Sequence, residues 1–207
     1  MPCYPIELDL SGRTALVVGL GRVGRRKAEG LSAAGARVLG VDPSPTVGDG
    51  WPAGLVIVAE AYRADHLAGV ALAFAAAVPE VNRLVTADAR AAGIWVNSAS
   101  DPSAGDFTLP AVWRDGDVTL TVSTAGASPA LSALLRDRAA AALGPSAAGL
   151  AALLAELRPL VIARLSDPSA RRRVLSDWAD PRWLSLYDAA GPEAVRAELL
   201  RALDLHS

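Results

Sequence analysis

The sequence predicts an α/β fold class, in which a parallel sheet with flanking helices is followed by a smaller, mainly helical region. Short apolar runs such as Thr14–Val18 alternate with segments of about ten residues that favour helix. This alternation indicates βαβ units, whose parallel strands carry ligands at their carboxyl ends. After Asn97 the alternation stops, and a hairpin pattern and several helices follow.

Five strands and three helices are expected in the first part of the chain. The strands lie at 14–18, 36–42, 55–59, 70–77 and 94–97, and the helices at 23–34, 65–68 and 79–92. Gly35 and Gly93 follow the two longer helices, where glycine commonly serves as a C-cap. The stretch 43–52 is rich in Pro, Gly and Ser and is expected to be a loop.

The second part begins with two expected strands at 107–113 and 117–123, joined by a two-residue turn at Asp115–Gly116. A helix follows, with Ser128 as its N-cap and Pro129 at its first position. From Ala147 onward the chain is expected to be helical, with breaks near Pro159, Asp167–Pro168, Pro181 and Gly191.

The composition argues against several classes of protein. The formal net charge of −2 gives no electrostatic basis for binding nucleic acid. Cys3 is the only cysteine, so no intrachain disulfide can form. No uninterrupted apolar run reaches roughly 18 residues, and residues 1–9 lack the features of a signal peptide. We therefore expect a cytoplasmic protein without membrane or nucleic-acid partners.

A glycine-rich motif follows the first strand and opens the first helix. In G-x-G-x-x-G, Gly19 allows the tight turn, Gly21 lets the backbone approach a pyrophosphate, and Gly24 permits close helix–strand contact. Asp42 stands 18 residues after Gly24, where a carboxylate that binds ribose hydroxyls and repels a 2′-phosphate is expected. The motif predicts a Rossmann domain that binds NAD rather than NADP. The alternatives are a structural glycine turn and an exposed acid at a strand end.

The predicted cofactor site extends beyond the glycines. The pyrophosphate is expected on free N–H groups at the helix N-terminus, and the other contacts at the carboxyl ends of the strands. The full set is Gly19, Gly21, Arg22, Val23, Gly24, Asp42, Pro43, Ala76 and Asn97.

Four segments resemble a known family, the precorrin-2 dehydrogenases that form the N-terminal module of siroheme synthases. The opening YPIELDLSGRTALVVGLGRVGRRKAEGLSAAGARV, with its pair Arg26 and Lys27, is similar to the start of that family. The segments VNRLVTADARAAGIWVNSASDPSAGDFTLPAV, STAGASPALSALLR and ARRRVLSDW are similar to later parts of it. The resemblance covers nearly the whole chain.

The resemblance implies three parts: an NAD-binding domain at 1–112, a dimerisation region at 113–147 and a C-terminal helical domain at 148–207. It implies a homodimer that oxidises precorrin-2 to sirohydrochlorin with NAD, and in some members inserts Fe²⁺ to give siroheme. Because the sequence ends at Ser207, a fused methyltransferase domain is not expected.

The chain departs from the family where the catalytic base is expected. The family commonly has NVVDDP where this chain has NSASDP, so the first aspartate aligns with Ser100 and only the second is kept, as Asp101. We predict Asp101 as the substitute base beside Ser100, because a serine hydroxyl is a poor base without a partner. The alternative for Asp101 is ordinary Asp-Pro turn chemistry. Asp106 is predicted to be structural, and Ala125 replaces a family glycine.

The predicted substrate site lies in the second part of the chain. Ser123, Thr124 and Gly126 form a loop of small residues that could hold anionic groups, or could simply cap the helix that follows. Arg114 and Arg136 could pair with substrate carboxylates, or could belong to a solvated face.

No permanent metal site is expected, because His66 and His206 are isolated and there is no cysteine partner. Three functions remain open. The chain is an NAD-dependent precorrin-2 dehydrogenase, a catalytically silent protein that binds NAD or a tetrapyrrole, or a chelatase that no longer oxidises.

Overall fold

The computed structural model describes residues 3–45, 50–52 and 54–204, and the chain divides into two compact units, 1–109 and 110–207. The first unit contains a five-stranded, fully parallel sheet with the order β3-β2-β1-β4-β5. Its elements are β1 (Thr14–Val18), α1 (Arg22–Ala33), β2 (Arg37–Val41), β3 (Leu55–Val58), a 3₁₀ helix (Ala64–Leu67), β4 (Val70–Ala75), α2 (Pro79–Ala91) and β5 (Trp95–Ser98). The expected α/β class and strand pattern are confirmed.

Helices cover both faces of the sheet, which is why its strands are continuous apolar runs rather than alternating ones. Successive residues of β1 point to opposite faces. Val17 packs on the α1 side with Phe74 and Leu31, whereas Leu16 packs on the α2 side with Val85. Both sides are closed, so the open edge at the carboxyl ends of the strands is where a ligand would lie.

The second unit consists of an antiparallel hairpin and four helices. The elements are β6 (Ala111–Asp115), β7 (Val118–Val122), α3 (Pro129–Leu143), α4 (Ser146–Arg164), α5 (Pro168–Asp177) and α6 (Arg182–Asp204). Leu157, Val161, Trp178 and Leu199 form the centre of its core. Ser128 caps α3 by accepting a hydrogen bond from the backbone N–H of Leu131 at 3.1 Å, as the sequence predicted.

The expected bounds of the hairpin were wrong in detail. The first hairpin strand begins at Ala111 rather than Phe107, since Pro110 has no N–H to pair and the Phe107 carbonyl accepts a bond from Asn97 instead. The register pairs Asp115 with Val118, so the turn is residues 116–117 and not 115–116.

The expected break at Pro159 does not occur, because α4 runs through it. An internal proline costs about 3 kcal/mol. The buried residues Leu153, Leu157 and Val161 line the same helix, and each contributes roughly 1.5–3 kcal/mol by burial, which offsets that cost. The break at Gly191 is confirmed, because this residue (φ +80°) kinks α6.

Among the described residues one helix, α4, is long and apolar enough by length and composition to cross a membrane, with a mean hydropathy of 1.5. Glu156 and Arg158 interrupt it. A core helix passes the same test, and the Leu157 and Val161 side chains of α4 lie in the core of the second unit.

Candidate functional site

The glycine loop between β1 and α1 leaves no room for side chains at two of its three glycines. A Cβ on Gly19 would lie 2.6 Å from the Ala76 carbonyl oxygen, and Gly19 itself has φ +88°. A Cβ on Gly24 would lie 1.8 Å from the Gly19 carbonyl oxygen, whereas a Cβ on Gly21 would meet nothing within 4 Å. Gly19 and Gly24 therefore bring the backbone segments together, and Gly21 leaves an open face above the helix.

The N-terminus of α1 fits a pyrophosphate. Gly21 is its N-cap and provides no side-chain hydrogen bond, and the first turn contains no acidic residue. The N–H groups of the first turn, including those of Arg22 and Val23, are therefore not capped by a side chain, and the helix dipole favours an anion at this end. The open face at Gly21 gives that anion room to approach.

Asp42 follows β2 and fixes the glycine loop. Its Oδ2 accepts a hydrogen bond from the Leu20 backbone N–H at 2.7 Å, and its Oδ1 accepts one from the Ser44 N–H at 2.9 Å, which holds the turn at Pro43. Each carboxylate oxygen has a second lone pair available for a hydroxyl. The geometry is compatible with ribose binding and also shows a structural role that the sequence did not reveal.

Ala76 follows β4 and Asn97 lies near the end of the edge strand β5, and their surroundings differ. Ala76 lies directly against Gly19, at the wall of the glycine loop. Asn97 is 6% exposed and faces α1: its Oδ1 accepts a bond from Lys27 Nζ at 2.7 Å, and its Nδ2 donates to the Phe107 carbonyl at 2.9 Å. Asn97 therefore ties β5 to α1 and to the loop after β5, and its contact with the cofactor stays a prediction.

Lys27 is a residue whose role sequence reasoning missed. Its ammonium group lies over the Phe74 ring, 5.2 Å from the ring centre, besides donating to Asn97. Burial lowers the pKa of Lys27 below its usual value, and the neighbouring charge of Arg26 lowers it further. The available signal is that Lys27 is the only lysine among 20 basic residues, at a point where a planar guanidinium is a poor substitute for a compact ammonium.

The loop after β5 holds the two predicted catalytic residues, Ser100 and Asp101. Both line a cavity of about 200 Å³ together with Arg83, Thr86 and Ser98. The cavity lies at the carboxyl end of β5, where the chemistry of such a fold is expected.

Asp101 is held in a local turn. Its Oδ1 accepts hydrogen bonds from the Ser103 hydroxyl at 2.6 Å and from the Ser103 N–H at 3.0 Å. These bonds hold the pKa of the exposed Asp101 carboxyl below its usual value, which makes it a weaker base. This geometry agrees with the turn alternative, and the catalytic role of Asp101 stays a prediction.

Asp106 is structural, as the sequence predicted. Its Oδ2 accepts a bond from the Val96 N–H at 3.0 Å, and its Oδ1 pairs with Arg90 at 2.9 Å. Gly105 approaches β5 so closely that a Cβ there would lie 3.0 Å from the Val96 carbonyl. The loop is thereby closed back on the edge of the sheet.

The small-residue loop before α3 is a bonded turn. The Ser123 hydroxyl accepts a bond from the Ala125 N–H at 3.2 Å, and the Thr124 hydroxyl accepts one from the Ser128 N–H at 3.1 Å. Gly126 has φ +85° and Ala125 has φ +51°, which explains why glycine suits position 125. These bonds match the helix-cap alternative.

The two predicted substrate arginines lie on different elements of the second unit. Arg136 on α3 pairs with Asp137 at 2.6 Å. Arg114 is exposed on β6, with no ion pair among the described residues. Their role in binding carboxylates stays a prediction.

Histidine does not form a metal site within the described ranges, where no group of three or more His, Cys, Asp or Glu could hold an ion. His66 Nδ1 accepts a bond from the Arg63 N–H at 3.0 Å, and its Nε2 lies 2.8 Å from Glu60 Oε1. These hydrogen bonds give His66 a local structural role. His206 lies outside the described residues.

Two family models match the chain. The model described as "Putative NAD(P)-binding" matches residues 6–111, and the model described as "Sirohaem synthase dimerisation region" matches residues 146–203. Siroheme synthase of Nitrosomonas europaea is 39% identical over 210 residues, which cover 99% of this chain and 44% of that protein. Siroheme synthase 2 of Aeromonas salmonicida is 37% identical over 176 residues, which cover 84% of this chain and 36% of that protein.

A solved structure is similar over the full chain. It is "SirC, precorrin-2 dehydrogenase", with a TM-score of 0.77 and 26% sequence identity over 98% of this chain and 99% of that one. The expected fold class is thereby confirmed, and the expected bounds 1–112, 113–147 and 148–207 stay a prediction. The chain spans less than half the length of the curated relatives described above. It belongs to the NAD(P)-binding family of siroheme synthases and precorrin-2 dehydrogenases.

Proposed function

We propose that the chain catalyses the oxidation of precorrin-2 to sirohydrochlorin with NAD as the oxidant. The observation that carries this proposal is the glycine cradle: Gly19 and Gly24 admit no side chain, and the open N-terminus of α1 fits a pyrophosphate. The likeness to a precorrin-2 dehydrogenase over the full chain supports the choice of substrate. Bound NAD supplies a hydride acceptor. The chain must hold the NAD and accept the one proton that precorrin-2 releases.

The direct test is to incubate the purified protein with precorrin-2 and NAD and to follow the absorbance of NADH and of sirohydrochlorin. We expect both products to form in equal amounts. If protein that is folded and binds NAD forms neither, the dehydrogenase proposal is wrong.

A catalytically silent binding protein is the second candidate, and the loop after β5 favours it. Position 100 carries a serine, and the Asp101 carboxylate is engaged by Ser103. This candidate predicts that NAD and sirohydrochlorin bind without turnover, so binding titrations beside the assay separate it from the first.

Insertion of Fe²⁺ into sirohydrochlorin is a further proposed activity that rests on the family alone. Ferrous ion would be a substrate here, and tetrapyrrole protons would have to leave as it enters. The same preparation should be supplied with sirohydrochlorin and Fe²⁺ without NAD. Formation of siroheme above the rate without protein supports the activity, and no increase contradicts it.

We also propose that the chain is a homodimer whose interface includes the expected region 113–147. The α3 helix buries only Ser132 among its described residues and exposes Leu131 (44%), Leu134 (55%) and Leu135 (41%). Adjacent exposed leucines on one helix are typical of a surface that is covered in an assembly. The family model of a dimerisation region supports a dimer, but it matches residues 146–203 and overlaps the expected region only at its last two residues.

Leu134→Glu is expected to convert the dimer into monomers, because it places a charge in an apolar interface. Sedimentation measures the mass of the wild-type protein and of the Leu134→Glu variant. Leu84→Glu is the matched control, since Leu84 is 51% exposed on α2 of the other unit. If both variants sediment like the wild-type protein, α3 is not in the interface.

Asp42→Asn is expected to relax the choice between NAD and NADP. The amide oxygen can still accept the bond from the Leu20 N–H, but the charge that repels a 2′-phosphate is gone. We expect NAD affinity to fall about tenfold while NADP affinity rises or stays level. Calorimetric titration with each cofactor measures the ratio. An unchanged ratio would remove Asp42 from the ribose site.

A further inference from the structure

Asn82 is a buried amide that connects two loops at the carboxyl edge of the sheet. It lies on α2, is 1% exposed, and uses all of its amide atoms. Its Oδ1 accepts a bond from the Ala77 N–H at 2.8 Å, and its Nδ2 donates to the Ala77 carbonyl at 3.0 Å and to the Ser100 hydroxyl oxygen at 2.9 Å. No feature of the proposed function described so far uses this residue.

The orientation of this amide follows from its partners. The Ala77 N–H can only donate, so the atom that faces it must be the amide oxygen. The NH₂ group therefore faces both Ala77 O and Ser100 Oγ, and Ser100 must act as an acceptor toward Asn82.

This arrangement leaves the Ser100 proton free for another partner. Because Asn82 occupies a lone pair of Ser100 Oγ, the hydroxyl hydrogen points elsewhere. Ser100 lines the cavity of about 200 Å³ that also includes Thr86, Ser98 and Asp101. A ligand oxygen in that cavity would receive this hydrogen bond.

The other end of the Asn82 amide reaches the wall of the glycine loop. The Ala77 N and Cα both lie 2.6 Å from the point where a Cβ on Gly19 would be. Asn82 thus holds the Ala77 peptide against the glycine loop with one set of bonds and Ser100 with the other.

We propose that Asn82 is a positioning residue that orients Ser100 as a hydrogen-bond donor to an acceptor oxygen of a bound ligand. The proposal rests on the proposed function for the identity of that ligand. The acceptor is the carboxamide oxygen of nicotinamide or a carboxylate oxygen of the tetrapyrrole, which share the same chemistry. If Asn82 served only packing, its substitution would change the stability of the protein but not its affinity for either ligand.

The test combines Asn82→Asp and Ser100→Ala, singly and together, with two titrations that require no turnover. Calorimetry measures the affinity for NAD, and absorbance measures the affinity for sirohydrochlorin. Ser100→Ala is expected to weaken one of the two ligands about five- to tenfold, because one hydrogen bond is lost. The ligand that weakens is the one that supplies the acceptor oxygen.

Asn82→Asp is expected to weaken the same ligand in a pH-dependent manner. Above the pKa of the new carboxyl group, the carboxylate accepts a hydrogen bond from the Ser100 hydroxyl, which then no longer donates into the cavity. Below that pKa, the neutral carboxyl group donates to Ser100 and releases its proton again. The loss of affinity should therefore grow as the pH rises, and it should disappear in the Ser100→Ala background.

The outcomes are distinct. An unchanged affinity for both ligands in Ser100→Ala overturns the proposal, even if Asn82→Asp does not fold. Equal effects of Asn82→Asp with and without Ser100 also overturn it, because the two residues are then not coupled. If the titrations show that Asn82 and Ser100 are coupled but the wild-type protein shows no turnover, the proposal is supported and only the dehydrogenase function is contradicted.

Discussion

Gly24→Ala is expected to abolish measurable NAD binding, a loss of at least about 100-fold. A Cβ at this position would lie 1.8 Å from the Gly19 carbonyl oxygen and 2.9 Å from its carbon, and both are backbone atoms that cannot rotate away. The first turn of α1 must therefore move from the glycine loop, and its N–H groups lose their aim at the pyrophosphate. Calorimetric titration with NAD measures the loss, and circular dichroism verifies that the helices remain.

Gly30→Ala is the matched control, because it makes the same substitution in the same helix. A Cβ on Gly30 meets nothing within 4 Å, and the residue is exposed. We expect wild-type affinity for NAD and a gain in stability of roughly 0.5–1 kcal/mol, as alanine is the better helix former. Should Gly24→Ala bind NAD as tightly as Gly30→Ala does, the pyrophosphate does not lie at the N-terminus of α1.

The sheet of the first unit could be predicted because its signals are local. Thr14–Val18 was predicted with the bounds that β1 has, and Gly35 (φ +80°) and Gly93 (φ +70°) follow their helices as expected. A buried parallel strand is recognised by a continuous apolar run, and the end of a helix is recognised by a glycine that follows it. The G-x-G-x-x-G spacing likewise encodes the close approach of Gly24 to Gly19, which is local in sequence, whereas the approach of Gly19 to Ala76 joins distant segments.

The contacts that could not be predicted join residues far apart in the chain. Lys27 meets Asn97 across 70 residues, and Asn82 meets Ser100 across 18. Neither pair shares a periodic pattern, and each bond depends on how a helix packs on the sheet. Asp101 is the converse case, because its bonds to Ser103 span two residues and belong to the local turn that an Asp-Pro sequence favours.

Ser100→Asp is expected to raise the rate of precorrin-2 oxidation about 100-fold, the lower end of what a positioned general base contributes. Position 100 lines the cavity after β5, and the Asn82 amide already donates a bond to it. A carboxylate there would accept that bond, which favours its ionised form at neutral pH. The existing acid, Asp101, accepts hydrogen bonds from Ser103 that lower its pKa, and it is therefore less suited to act as a base.

Ser100→Asn separates a base from a change in size, because it has the same shape as aspartate but takes up no proton. The rate of NADH formation from precorrin-2 should therefore rise only in Ser100→Asp, with NAD affinity similar in both variants. The rate of Ser100→Asp should rise with pH as the new carboxyl group ionises, and it should level off above the pKa of that group. The opposite pattern, no gain in Ser100→Asp and loss of an existing rate in Asp101→Ala, would make Asp101 the base. In that case the bonds from Ser103 must open during turnover, since a carboxylate held by two donors at 2.6 and 3.0 Å is a weak proton acceptor.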